Sequence, residues 1–241
     1  MSDEDNLTPL FSSINDTSYY IQALNKTLHY HPRLFNHTKS NESDSKLFAD
    51  NVWPGSLVLS DYLCDNPQLV INKICIELGA AFALPSMVAI TLGAEHVVVT
   101  DYPATNLIDN IYTIFMRNNL TKYTALPYTW GDDAEALLGS SPSGRFDVIL
   151  IAEPLWKDTY TQHDNLLRSI SYLISEHTVV YLSFAHRPTD THTPSHDQEL
   201  LVKSSEKYDW KVKLILTSPK YCDVGETTPI EVFLYSITKK L

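Results

Sequence analysis

The chain has 241 residues, of which 44% are hydrophobic, and this length can bury one large α/β core without disulfide bonds. Its 18 lysines and arginines stand against 29 aspartates and glutamates, so the formal net charge is −11 at pH 7. Because a surface of this sign repels a phosphate backbone and attracts cations, we expect a cationic substrate and not a nucleic acid as the partner.

The cysteine pattern and the apolar stretches indicate a cytoplasmic protein. Cys64, Cys75 and Cys222 lack CxxC spacing and are interpreted as reduced packing thiols. Residues 1–5 are polar and acidic, without the apolar centre of a signal peptide. The most apolar stretch, residues 79–94, is shorter than the roughly 20 residues of a bilayer span, so no membrane segment is predicted.

The first 50 residues are rich in Asn, Ser, Thr and His, and we predict that they form an N-terminal extension. One helix is predicted at residues 17–28, followed by a polar surface loop at 36–45. The remaining residues, 51–241, are predicted to form a single domain.

From Trp53 onward, strand and helix patterns alternate along the chain. Strands are predicted at 74–78, 97–100, 125–129, 146–151, 179–184, 212–216 and 232–237. Helices are predicted at 55–63, 84–92, 105–118, 163–175 and 195–208. Such alternation predicts a doubly wound, Rossmann-like sheet of seven strands, mostly parallel, with an antiparallel C-terminal hairpin.

The first buried strand ends in a tight turn that is typical of a nucleotide-cofactor site. Gly79 follows the strand directly, and Asp101 ends the next strand, where a carboxylate can accept the hydroxyls of a ribose. The second and third glycines of a G-x-G-x-x-G fingerprint are absent, and Ala81 and Ala83 stand where such a turn needs flexibility, which disfavours a pyrophosphate. The pattern therefore favours a cofactor with a ribose and no phosphates, such as S-adenosylmethionine, and the alternative is an ordinary buried turn.

Six sequence features follow one another between residues 51 and 150. They are Asn51-Val52-Trp53-Pro54-Gly55, Glu77-Leu78-Gly79-Ala80-x-x-Ala83-Leu84-Pro85-Ser86, Thr100-Asp101-Tyr102-Pro103, Asn110, Tyr128-x-Trp130-Gly131-Asp132 and Phe146-Asp147-Val148-Ile149-Leu150. In this order they resemble the seven-β-strand methyltransferases of family 16, over about residues 47–190. The resemblance is to the fungal nicotinamide N-methyltransferase-like branch, which includes enzymes that modify the N-terminus and adjacent lysine of elongation factor 1-alpha.

This resemblance implies a set of cofactor-binding residues. Asp101 would hold the ribose hydroxyls, the Gly79 backbone would lie along the methionine part, and Glu77 would pair with the amino group directly or through water. Trp130 would wall the adenine and Trp53 would close the pocket, although both indoles also fit an ordinary core position. The same motifs place Tyr102, Gly131 and Ala152 at the cofactor site.

The resemblance also implies an acceptor site at the end of the fourth strand. Glu153 stands where the family usually has an aspartate, and Trp156 stands where it has Tyr or Phe. A carboxylate can orient an amine nucleophile and an aromatic face can hold its cation, so Glu153 and Trp156 are the predicted catalytic pair. His163, at the start of the following helix, is interpreted as either structural or close to the pocket.

Several functions remain open from the sequence. We favour an S-adenosylmethionine-dependent methyltransferase that acts on a protein amine. The alternatives are a small-molecule N- or O-methyltransferase, a methyltransferase fold used for a cyclisation in secondary metabolism, and a binding module without catalysis. No metal is expected, because His186, His192 and His196 lack a carboxylate or thiolate partner, and no G-x-S-x-G motif supports a hydrolase.

Overall fold

The computed structural model describes residues 18–30, 52–103, 107–155, 157–185, 194–220 and 229–240. Its strands are β1 (Ser18–Ile21), β2 (Lys26–His29), β3 (Ile74–Leu78), β4 (His96–Asp101), β5 (Tyr123–Pro127), β6 (Val148–Ala152), β7 (Val179–Ala185), β8 (Trp210–Lys220) and β9 (Ile230–Lys239). Its α-helices are α1 (Pro54–Asp65), α2 (Leu84–Leu92), α3 (Leu107–Arg117), α4 (Glu135–Ser140), α5 (His163–Leu173) and α6 (Pro194–Lys207).

Seven of the strands form one sheet in the order β5-β4-β3-β6-β7-β9-β8. The five strands from β3 to β7 are parallel, whereas β9 pairs antiparallel with both β7 and β8. The predicted fold class is confirmed, including the antiparallel C-terminal hairpin. The strand order reverses between β3 and β6, and a doubly wound sheet binds its ligand at the carboxyl ends of the strands at such a point.

The helices cover the sheet on both faces. One core contains side chains of α1, α2 and α3, and the other contains side chains of α4, α5 and α6. All five residues of β3 are buried, as expected for a central parallel strand. α2 follows with Pro85 in its first turn, and it ends at Gly93, whose φ of 110° is the left-handed conformation that glycine adopts readily.

The N-terminal prediction of a helix at residues 17–28 was wrong. From Ser18 onward those residues form β1 and β2, an antiparallel pair joined by one turn of 3-10 helix. Asn25 closes this turn with a left-handed φ of 48°. Aromatic and β-branched side chains in β1 favour a strand, and packing of the pair on the domain outweighs the helical pattern. The predicted surface loop at 36–45 lies outside the described residues.

The β1–β2 hairpin is anchored on the domain by apolar burial and by two polar contacts. Ile21 and Leu28 are fully buried in the core that contains α1 and α2. The Tyr19 hydroxyl donates to Asp61 Oδ1 of α1 at 2.7 Å. Asn118, after α3, pairs with the backbone of His29 as another strand would, with both hydrogen bonds 2.7 Å long. The predicted division of the chain at residue 50 stays a prediction, although this part of the extension shares the domain core.

Among the described helices, none combines the length and the apolar character that a bilayer span needs.

Candidate active site

A cleft of about 560 Å³ opens at the carboxyl ends of β3, β4 and β6. Its volume lies in the range of small-molecule and cofactor sites. The residues that line it come from the start of α1, the turns after β3, β4, β5 and β6, and the segment before α5. They are Val52, Trp53, Ser56, Gly79, Ala80, Ala81, Phe82, Leu84, Asp101, Tyr102, Leu107, Tyr128, Thr129, Trp130, Ala152, Glu153, Pro154, Thr159 and Gln162.

The turn after β3 forms the floor of the cleft and has an unusual backbone. Gly79, Ala81 and Ala83 all have positive φ, at 73°, 47° and 54°. A Cβ atom on Gly79 would lie 2.9 Å from Cζ2 of Trp130, so glycine is required here by both conformation and space. Ala81 and Ala83 take the left-handed conformation without being glycine, and alanine adopts it at a cost of about 1–2 kcal/mol. The turn of the glycine-rich fingerprint is therefore present although two of its glycines are not.

Asp101, at the end of β4, is fixed in the cleft by the adjoining backbone. Its Oδ2 accepts the N–H of Ala81 at 2.6 Å, and its Oδ1 accepts the N–H of Tyr102 at 2.6 Å. Burial raises the pKa of the Asp101 carboxyl, while these two hydrogen bonds act to lower it. Each carboxylate oxygen retains a further acceptor position, and a ribose diol has the two donors that match this pair.

The two predicted aromatic walls lie at the cleft. Trp130 is half-buried, and Cζ2 of its indole stands over the backbone of Gly79. Trp53 immediately precedes α1 and lines the cleft on the N-terminal side. Tyr102 is 55% exposed at the rim. The structure thus brings Trp53, Gly79, Asp101, Tyr102 and Trp130 together, and their contacts with a cofactor stay a prediction.

Glu77 is buried and is not among the residues that line the cleft, and its pairing with the cofactor, directly or through water, stays a prediction. Its Oε2 accepts both the backbone N–H of Ser86, at 3.0 Å, and the Ser86 hydroxyl. Alternation along β3 turns Glu77 to the same sheet face as Cys75, which α2 covers. Burial raises the pKa of Glu77 to about 8. The Ser86 hydrogen bonds act to lower this pKa, and the charge of Asp101 acts to raise it further.

Gly131 is likewise turned away from the cleft. Its N–H donates to the Ser169 hydroxyl at 2.7 Å, and its carbonyl accepts Nη2 of Arg168 at 2.6 Å, so it is tied to α5. Its φ is 89°, and a Cβ atom there would lie 2.5 Å from Arg168 Nη2. Gly131 therefore holds the turn that carries Trp130, and its own contact with the cofactor stays a prediction.

Ala152 and Glu153 also line the cleft, and their predicted roles, with the cofactor and with the methyl acceptor respectively, stay predictions. Glu153 has a left-handed φ of 58°. Its two carboxylate oxygens accept backbone N–H groups from Gly55 of α1, at 2.8 Å, and from Ala185 of β7, at 2.9 Å. Trp156, its predicted catalytic partner, lies outside the described residues, as do His186 and His192.

Thr159 and Gln162 line the cleft and were not predicted from the sequence. They belong to a 3-10 helix, Lys157–Gln162, that joins β6 to α5. The Thr159 hydroxyl donates to the carbonyl of Pro154 at 2.6 Å and lies 3.3 Å from Nε2 of the buried His163. A polar segment directly after a predicted acceptor strand was the available signal, because such segments pass over the carboxyl edge of the sheet.

The chemistry of the lining selects the kind of ligand. Asp101 and Glu153 supply negative charge, and the described lining residues include no lysine, arginine or histidine. A phosphate group would find no cation here, whereas a ribose and a positively charged sulfonium find acceptors and aromatic faces. The residues present therefore fit S-adenosylmethionine better than a dinucleotide.

Three features together define a Rossmann-like methyltransferase: the sheet order, the turn after β3, and the Asp101 carboxylate at the place where a ribose binds. Residues 36–201 match the family described as lysine methyltransferase, and the chain belongs to this family.

Curated relatives in fungi match much of the chain. The protein N-terminal and lysine N-methyltransferase EFM7 of Kluyveromyces lactis is 30% identical over 216 residues, which are 80% of this chain and 78% of the relative. The protein of the same name in Candida glabrata is 29% identical, over 80% of this chain and 76% of the relative. The Schizosaccharomyces pombe protein efm7 is 32% identical over 58% of this chain, and the match spans only 57% of the length of that relative.

Solved structures show the same fold at low sequence identity. The precorrin-6y C5,15-methyltransferase of Geobacter metallireducens superposes with a TM-score of 0.54 at 13% identity, over 77% of this chain and 86% of the other. The ribosomal protein L11 methylase of Lactobacillus delbrueckii subsp. bulgaricus gives a TM-score of 0.51 at 12% identity, over 77% of each chain. The substrates of these proteins differ, so the likeness concerns the fold.

Proposed function

We propose that the protein transfers a methyl group from S-adenosylmethionine to an amine of a protein substrate, at a lysine side chain or an N-terminus. The observation that carries this proposal is the cleft lined by Asp101 and by aromatic side chains, with no lysine, arginine or histidine among its described lining residues. Membership of the lysine methyltransferase family and the names of the fungal relatives support the amine acceptor.

The cofactor site is proposed to use the residues that the structure gathers at the cleft. Asp101 accepts the ribose hydroxyls, the Gly79 backbone runs beside the methionine part, and Trp130 walls the adenine. Trp53 and Tyr102 enclose the ligand from the N-terminal side and from the rim. Glu77 and Gly131 support this site from behind, through Ser86 of α2 and through α5 respectively.

The acceptor is proposed to approach from the side of Ala152, Glu153 and Pro154. When bound, S-adenosylmethionine supplies a methyl group on a positively charged sulfur. A cationic amine would first release a proton to solvent; its lone pair would then form the N–C bond to the methyl carbon as the C–S bond breaks, and S-adenosylhomocysteine would leave. Because the methyl group is already activated, the protein needs mainly to align the two groups, and the negative charge of Glu153 attracts a cationic amine to the cleft.

The cellular setting is proposed to be the cytoplasm of a fungal cell. Cys64 and Cys75 are free thiols in the structure, as expected in a reducing compartment. The three relatives described above are yeast proteins.

Radiolabelled S-adenosylmethionine tests the proposal when the protein is incubated in parallel with a yeast protein extract and a yeast metabolite extract. We expect label in protein, located at a lysine or an N-terminus by mass spectrometry. Asp101→Asn should abolish the labelling, whereas Glu176→Gln, at an exposed carboxylate that follows α5 in the chain, should not. Label found only in small molecules would replace the protein acceptor by a metabolite, and label in neither extract would refute the transferase activity on these acceptors.

A further inference from the structure

Four residues from distant parts of the chain are joined by hydrogen bonds beside the cleft. Gly55 donates its N–H to Oε2 of Glu153 at 2.8 Å, and its carbonyl accepts the Ser183 hydroxyl at 2.8 Å. Glu153 donates its own N–H to the carbonyl of Ser183 at 2.7 Å, and its Oε1 accepts the N–H of Ala185 at 2.9 Å. We name this group, formed by Gly55, Glu153, Ser183 and Ala185, the α1 clamp.

The α1 clamp is closely fitted. A Cβ atom on Gly55 would lie 2.5 Å from Oε2 of Glu153, so only glycine leaves room for the carboxylate. Ser183 is fully buried, and its hydroxyl therefore has no water as an alternative partner. Glu153 holds a left-handed backbone conformation, which a non-glycine residue adopts only where its surroundings fix it.

The clamp fixes the part of α1 that faces the cleft. Gly55 lies in the first turn of α1, between Trp53 and Ser56, both of which line the cleft. The Glu153 carboxylate binds a free N–H at this helix start, where the helix dipole favours negative charge. Movement of Gly55 would therefore move the Trp53 wall relative to Asp101 on the other side.

We propose that Ser183 and Gly55, together with Glu153, are positioning residues that set the width of the cofactor cleft through the start of α1. This inference rests on the proposed function, since it concerns the same cleft. It gives the Glu153 carboxylate a role that acts through Gly55, in addition to its charge toward the acceptor.

The length and charge of the Glu153 side chain fit this role. The carboxylate bridges two N–H donors on different elements, α1 and β7, and an aspartate is one methylene shorter. A glutamine has the right length but only one oxygen acceptor, so its NH2 group would face one of the two backbone donors. Glu153→Gln should therefore open one end of the clamp while preserving its size.

Ser183→Ala is the decisive variant because it weakens the clamp without changing any residue that lines the cleft. Its matched control is Ser204→Ala, which removes another buried serine hydroxyl, bonded to the carbonyl of Leu200 within α6. We expect Ser183→Ala to raise the Kd for S-adenosylhomocysteine about three- to tenfold in titration calorimetry, the effect of losing one hydrogen bond. The control should bind like the wild-type protein.

Hydrogen–deuterium exchange of the whole protein without ligand provides a second measurement. The Gly55 amide should exchange faster in Ser183→Ala, either the Gly55 or the Ala185 amide should exchange faster in Glu153→Gln, and neither should change in Ser204→Ala. Gly55→Ala, which displaces the carboxylate without removing it, should weaken S-adenosylhomocysteine binding in the same way, so the proposal does not depend on the folding of one variant.

The outcomes separate this proposal from the proposed function. If wild-type protein does not bind S-adenosylhomocysteine, the proposed cofactor site is refuted, and an unchanged Gly55 exchange rate would refute the clamp independently. If wild-type protein binds but Ser183→Ala and Gly55→Ala bind equally well, the positioning role is refuted while the transferase proposal stands. Faster exchange of the Gly55 amide without any loss of affinity for S-adenosylhomocysteine would also refute the positioning role.

Discussion

Replacement of Glu77 by glutamine should remove a large pH dependence of stability. The Glu77 carboxyl is fully buried beneath the turn after β3, and burial raises its pKa from 4.5 to about 8. Between these values the folded protein holds a proton on Glu77 that the unfolded chain has released. The stabilisation from this group is therefore complete below pH 4.5 and is lost as the pH rises through 8.

The gap between the two pKa values sets the size of the effect. At about 1.36 kcal/mol for each pH unit, it corresponds to a ceiling of roughly 5 kcal/mol in the free energy of unfolding. Glutamine resembles the protonated form, since its amide oxygen can still accept the N–H and hydroxyl of Ser86, but it does not titrate. Wild type should thus lose stability relative to Glu77→Gln by up to this amount between pH 5 and pH 9.

Urea denaturation followed by circular dichroism at several pH values measures this difference. Glu176→Gln serves as the control, because its carboxylate is exposed and the variant should follow wild type at every pH. A constant difference between wild type and Glu77→Gln from pH 5 to pH 9 would show that Glu77 ionises equally in the folded and unfolded states. The assigned pKa would then be wrong.

Three further substitutions test the cleft. Asp101→Asn should weaken S-adenosylhomocysteine binding about 100-fold in calorimetry, because an amide cannot accept from both Ala81 and Tyr102 and lacks the charge for the ribose. Trp130→Ala should cost about 1–3 kcal/mol of the same binding free energy, the value of a stacked base, with the circular dichroism spectrum retained. Gly131→Ala should lower the free energy of unfolding in urea by about 1–2 kcal/mol, because alanine at positive φ is strained.

Each of these expectations has a distinct contrary result. Equal affinity of wild type and Asp101→Asn would remove the ribose site from β4. An unfolded Trp130→Ala would identify the indole as a core residue and not as a wall of the cleft. Unchanged stability of Gly131→Ala would show that the contact with Arg168 is easily displaced.

The central elements were predictable because their signals are local. β3 and α2 have the predicted bounds, since a continuous apolar run indicates a buried strand and Gly93 marks a helix end. α4 was missed because six residues, Glu135–Ser140, are too few for a helical period to stand out. The β1–β2 hairpin was missed because its conformation depends on contacts with α1 and with Asn118, which are distant in the sequence.

The candidate site was predictable in position and less so in orientation. Asp101 was located by its place at the end of a strand, since strand ends meet at one edge of the sheet, and Trp130 was located by the family resemblance. Alternation along β3 predicts that the Glu77 side chain points to the same sheet face as Cys75. The family motif instead led to the prediction that Glu77 faces the cofactor. The hydrogen-bond partners of Glu153 and Gly131 could not be predicted from the sequence, because Gly55 lies 98 residues from Glu153 and Ser169 lies 38 residues from Gly131.

The hairpin of β1 and β2 lies upstream of the family match but belongs to the folded core. The family match begins at residue 36, whereas Ile21 and Leu28 complete the core from further upstream. A chain cut at the family boundary would expose the apolar surfaces that Ile21 and Leu28 cover and would remove both hydrogen bonds between Asn118 and His29, so it should aggregate. The stretch that matches the family and the stretch that builds the core are therefore different. The hairpin adds two apolar side chains to the core and backbone partners to Asn118, so the residues matched to the family form an incomplete core by themselves.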